Sequence, residues 1–118
     1  MNVRKAIDFC LSFPQVVEVD SRYPNNILKY VVHEKQFAYF KTSEPEKWRF
    51  SVRVSPDRFL ELTDQPGVKP ARYMHRFHWV TIVDVGDFYE DYLKELIHWS
   101  YQKAVSSLSK KIQAEILS

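Results

Sequence analysis

From Gln65 to Val83 the chain carries no carboxylate, and within that span Lys69, Arg72, His75 and Arg76 interleave with Tyr73 and Phe77. Cations pair with phosphate oxygens and aromatic rings offer faces to bases, which is how single-stranded nucleic acid is held. Arg49 and Arg53 sit on the polar side of a strand-like run and extend the basic set if the two segments share a surface. The opposing reading has Tyr73, Met74 and Phe77 packing the segment onto the core while the cations are simply solvated. It is the favoured one on general grounds, because irregular loops anchor themselves with apolar side chains and exposed bases are ordinary.

Other residue types that do chemistry lack partners at useful spacing. His75 and His78 are three apart, but a metal needs a third ligand, and no Cys or carboxylate lies nearby. No metal is expected. Ser100 as a nucleophile would need a histidine base, and His98, two positions away on a helix, points elsewhere. Cys10 is the only cysteine, which excludes an internal disulfide and paired-cysteine metal motifs, and its place on an apolar stripe suits a core residue. Gly67 and Gly86 are the only glycines, too few and too far apart for a glycine-rich phosphate loop or a GxSxG elbow. The run from Lys35 to Phe40 superficially resembles the aromatic strand of an RNA recognition motif. It fails twice, with Gln36 at the glycine position and no helix between the first two strands. The expectation is a domain with no catalytic residues, cofactor or metal.

Charge and hydropathy bound the setting. A formal charge of +2 is the sum of an acid-free stretch, an acidic one from Asp84 to Glu95 and a final basic one holding Lys103, Lys110 and Lys111. Acids at a helix start and bases toward its end account for part of that pattern. The longest uncharged stretch, Phe9 to Val17, is nine residues, whereas a spanning helix needs about 20. With Asp8 near the start and one unpaired thiol, the chain reads as cytoplasmic, with no membrane segment.

The elements that must position the basic segment follow from period. Val3, Ala6, Ile7, Cys10 and Leu11 form a helical stripe, with Asn2 as cap and Pro14 beyond its end. From Val16 to Val54 the period is two. Val16 to Arg22 is a weaker strand, and Ile27 to His33 and Gln36 to Thr42 should form a hairpin about Glu34-Lys35. Trp48, Phe50, Val52 and Val54 alternate with Arg49, Ser51 and Arg53. Alternation puts Phe37 and Tyr39 on one face and Ala38 and Phe40 on the other. Ser55-Pro56 opens a short helix ending near Asp64, Gln65 to Phe77 is one long irregular connection, and His78 to Val85 is a further strand. Asp87 to Glu90 has capping-box spacing before the longest helix, and Ser109 caps a last one from Lys110 to Leu117. The fold class is α+β: an antiparallel meander with the N-terminal and long C-terminal helices on one face and a short middle helix. With 118 residues, about two-thirds of the unfolded surface buried and no linker, one domain over residues 1–118 is expected.

Three stretches together resemble a known family: Ser55-Pro56-Asp57-Arg58-Phe59, the run from Val68 to Trp79, and Ser100-Tyr101. They are similar to the MmcQ/YjbR family, whose usual form has a Pro and a small residue, then Met-Asn-Lys, any residue, His-Trp and, further on, Ser-Tyr. Pro70, Met74, His78, Trp79, Ser100 and Tyr101 match, whereas His75-Arg76 replaces Asn-Lys, keeping the charge and losing the amide. The resemblance implies an α+β sandwich like the frataxin and secretion-chaperone arrangements, and it implies DNA as partner, the usual label of its members. From their residue types the matching positions suit structure: Trp79 starting a buried strand, His78 bonding inside the sheet, Ser100 letting the last helix approach, Tyr101 keeping its hydroxyl wet. Two functions are carried forward. One is DNA binding through Lys69, Arg72, His75, Arg76, Arg49 and Arg53. The alternative, prompted by an aromatic content of 15%, is a protein-interaction or chaperone-like module, or a homodimer, using an exposed sheet face.

Overall fold

Asn2 starts the first helix by accepting the Lys5 N–H on its side chain at 2.8 Å, and the stripe Ala6, Ile7 and Cys10 on α1 (Val3–Leu11) is buried. The computed structural model describes residues 1–117. Six antiparallel strands follow: β1 (Val16–Ser21), β2 (Ile27–Val32), β3 (Lys35–Lys41), β4 (Phe50–Arg53), β5 (Val68–Pro70) and β6 (Trp79–Ile82). Their order across the sheet is β1-β2-β3-β4-β6-β5. The first four form the expected meander. β6 then pairs with β4, and β5 is added outside it, so the segment from Gln65 to Phe77 is not one irregular connection. Local signals hid β5 because Pro66, Gly67 and Pro70 punctuate it. A three-residue edge strand is defined by pairing with β6, not by its own period. Gly67, at φ +83°, makes the turn into it and accepts the Val83 N–H.

The β2–β3 turn is His33-Glu34, one residue earlier than expected. Both have positive φ, the geometry that matches the twist of a two-residue hairpin. Trp48, also at positive φ, lies outside β4. On β3 a bulge opposite Tyr30/Val31 changes the alternation, and Phe37 joins Ala38 and Phe40 in the core while Tyr39 faces the other side.

The four helices α1, α2 (Pro56–Thr63), α3 (Glu90–Ser106) and α4 (Lys110–Leu117) feed one core on one sheet face. There Leu93, Leu96 and Ile97 of α3 meet Phe40, Phe50 and Val52, and Leu62 and Ile116 close the ends. Burying such side chains contributes about 1.5–3 kcal/mol each. Ser55 caps α2 through the Arg58 N–H, and Ser109 caps α4 through the Ile112 N–H at 3.3 Å. The capping box at α3 does not form: Asp87 belongs to a 3-10 turn, Tyr89 is the cap without a side-chain bond, and Glu90 pairs with Lys94 at 3.6 Å. Among the described residues, no helix is long and apolar enough to cross a membrane.

Candidate functional site

The sheet face without helices carries the site. Trp79, Val31 and Ala71 are buried yet stand apart from the core cluster, because loops fold over this second face and leave a trough of about 550 Å³ between them. That volume is within the range of small-ligand sites, roughly 300–1,000 Å³. Its floor is Tyr39, Ser51 and Thr81, with the two hydroxyls bonded to each other at 2.7 Å and the Tyr39 ring stacked on Trp79. Pro24 and Asn25 form one wall, Glu46 and Arg49 another, and the turn Arg72-Tyr73-Met74 a third.

Strand register explains why the cations meet. Lys69 lies across from Thr81, Ser51 from the same Thr81, and Tyr39 from Ser51, so one row crosses the sheet through β5, β6, β4 and β3. Lys41, two residues after Tyr39, faces the same way, with its ammonium donating to the Asn25 carbonyl at 3.0 Å. The turn bearing Arg72 is fixed at its base by Ala71 and Trp79. The Ala71 N–H donates to the Trp79 carbonyl, and the Met74 N–H to that of Ala71. Lys41, Arg49, Lys69 and Arg72 thus surround the trough, against one lining carboxylate, Glu46. Glu46 Oε2 lies 3.5 Å from Arg49 and 3.6 Å from Arg72.

Of the basic residues singled out in the sequence, Arg49, Lys69 and Arg72 come together here. Arg53 lies at the far end of β4 opposite Trp79 and does not line the trough. His75 and Arg76 sit on a 3-10 turn pointing off it, with the Arg76 guanidinium over the Phe77 ring at 5.1 Å. Tyr73 is 84% exposed and Phe77 46%, so these aromatics do not anchor the loop; buried Ala71 and backbone bonds do. Lys41 and Glu46 were not singled out. Lys41 is in phase with Tyr39 and was readable from alternation, whereas Glu46 lies in a turn whose path only the structure gives.

The signature residues form a separate, internal set. Ser100 is 1% exposed; its hydroxyl donates to the Phe37 carbonyl at 2.6 Å and accepts the Arg53 N–H at 3.2 Å, tying α3 to the bulge and to β4. The Tyr101 hydroxyl is not wet: it donates to the Pro14 carbonyl at 2.8 Å, the ring stacks on Phe13, and burial raises the phenol's pKa. His78, at φ +65°, bonds the Val54 N–H through its backbone carbonyl while its ring meets Phe59 edge-on, so its role inside the sheet is a backbone one. Burial alone pushes the Cys10 thiol up, as expected of a core residue. Among the described residues, no three His, Cys, Asp or Glu side chains converge as metal ligands would.

A helix-backed antiparallel sheet defines an α+β domain, here with a cation-lined trough on its open face, and solved structures similar to it share the fold. A family model described as YjbR matches residues 11–103, and the chain belongs to that family. The crystal structure of a Deinococcus radiodurans protein with the family-model domain DUF419 is similar at a TM-score of 0.81 and 24% identity, covering 98% of this chain and 87% of that one. A structural-genomics crystal structure from Pseudomonas syringae is similar at 0.69 and 19% identity, covering 88% of this chain and 99% of that one. At these identities the likeness is one of fold. No curated protein matches the chain.

Proposed function

We propose that this protein is a non-enzymatic DNA-binding module that receives a single strand in the trough on the helix-free sheet face. Lys69, Arg72, Arg49 and Lys41 are its phosphate-facing cations, and Tyr73 is its stacking platform. The observation that carries this reading is Tyr73. A bulky side chain at φ +67° stores backbone strain of order 1 kcal/mol, and at 84% exposure it recovers none of that by burial. An aromatic held in that way beside Arg72 fits presentation to a flat partner better than packing. The test is a titration of a labelled single-stranded oligodeoxynucleotide at two salt concentrations. Affinity should fall steeply with salt, and absence of binding at the lower concentration would refute the reading.

A second reading, a protein-interaction module or homodimer, draws on the free edge of β1. Among the described residues, β1 pairs only with β2, and Val17 on it is 55% exposed. Solution scattering that returns a monomer at high concentration counts against a dimer.

A further inference from the structure

We infer that the space between the Arg49 and Arg72 guanidinium groups is a phosphate subsite, and that Glu46 occupies it in the unliganded protein as an internal anion. The inference deepens the proposed function and rests on it for the identity of the ligand, a phosphodiester of single-stranded DNA.

Two guanidiniums from separate supports face one carboxylate oxygen. Arg49 is placed by the turn that precedes β4, where its N–H donates to the Glu46 carbonyl and its own carbonyl accepts the Lys41 N–H. Arg72 is placed by the turn after β5. Glu46 Oε2 stands 3.5 Å from one and 3.6 Å from the other. Charge-assisted bonds between these groups close to about 2.7–2.9 Å when geometry permits. Both contacts here are longer than that, so Glu46 Oε2 lies between the two guanidiniums without closing fully on either. A phosphodiester shares its single negative charge between two non-bridging oxygens and, not being tethered to this loop as Glu46 is, can turn one of them to each guanidinium. The accessibilities agree with an exchange: the Arg72 side chain is 70% exposed and free to re-pair, whereas those of Arg49 and Glu46 are 27% and 29% exposed and define the position. Glu46 is also the one carboxylate lining the trough, so displacing it changes the charge met by a strand at the place where the strand would sit.

The experiment compares the intact protein with Glu46→Gln, Glu44→Gln and the double variant Glu46→Gln/Arg72→Ala, using a short oligothymidylate at low salt. Glu44 is on the same exposed loop, so its substitution makes the same change in net charge. Releasing two partly exposed ion pairs should tighten binding by about two- to thirtyfold in Glu46→Gln. Glu44→Gln should have a smaller effect, and the double variant should lose the gain. Equal tightening in both single variants, or none, overturns the subsite. If no protein binds oligothymidylate, the DNA reading falls on its own, and the subsite is read with inorganic phosphate through the Arg72 side-chain NMR signal. Tighter phosphate binding by Glu46→Gln than by the intact protein then supports it, and equal binding overturns it. Arg72 is largely exposed and Glu46→Gln conserves shape, so far-UV circular dichroism should be unchanged throughout.

Discussion

One hydroxyl adds two hydrogen bonds to the apolar packing of the longest helix on the sheet. Ser100 satisfies the Phe37 carbonyl, which the bulge leaves without a ladder partner, and the Arg53 N–H at the end of β4. Ser100→Ala strands both groups in a site that water reaches poorly, and it should cost about 2 kcal/mol in urea unfolding. Ser106→Ala, which removes an exposed hydroxyl bonded within its own helix, should cost less than about 0.5 kcal/mol. Tyr73 should behave in the opposite way. Tyr73→Gly relieves the left-handed backbone, worth roughly 1–2 kcal/mol, against about 0.5–1 kcal/mol of added chain entropy. The variant should be equally or slightly more stable while binding single-stranded DNA about five- to a hundredfold more weakly. A loss of both stability and binding would mean that the ring packs in solution. The matching Ser and Tyr were visible in the sequence, but their partners were not. Phe37 and Pro14 are far from them along the chain, and the bulge that exposes the Phe37 carbonyl has no local signature.

At the level of elements, helix starts and strand alternation were legible wherever a local interaction decides them. Asn2 and Ser55-Pro56 cap as their chemistry dictates, and Phe50, Val52 and Val54 are buried as period two requires. Long-range pairing decided the rest. β5 arises from a Pro- and Gly-punctuated segment because β6 offers it a ladder, and Asp87 is diverted from the α3 cap into a 3-10 turn. The basic segment is consequently divided between two settings, β5 with its following turn inside the trough and the 3-10 turn outside it. That division is measurable. Arg72→Ala or Lys69→Ala should flatten the dependence of binding on salt by about 0.7 per lost phosphate contact on a single strand, and Arg76→Ala should leave the slope unchanged. Equal slopes for all three would return the site to the whole loop.

For the molecule as a whole, all four helices lie on one face of a single sheet, so its two faces have different chemistry: one apolar and covered, the other polar, cationic and partly roofed by loops. The covered face sets the alkaline limit. Burial raises the pKa values of Cys10, Tyr30 and Tyr101, so the folded chain keeps protons that the unfolded chain releases, the thiol near pH 8.5 and the phenols near 10. The unfolded state then binds fewer protons, and stability falls as pH rises through this range. Urea midpoints should be insensitive to these groups near neutrality and decline above about pH 9, with the onset moved upward in Cys10→Ala. A decline that begins at the same pH in that variant would assign the effect elsewhere. The strand order also fixes how many neighbours the sheet can accept. At β5 the Ala71 N–H points inward to Trp79, so position 70 faces outward, and Pro70 has no donor to offer there. Among the described residues, the other edge strand is β1, which pairs only with β2 and carries no proline from Val16 to Ser21. By its edges this sheet is monovalent: two copies joined at β1 leave no further place to add, so edge pairing stops at a closed pair and cannot propagate into a filament.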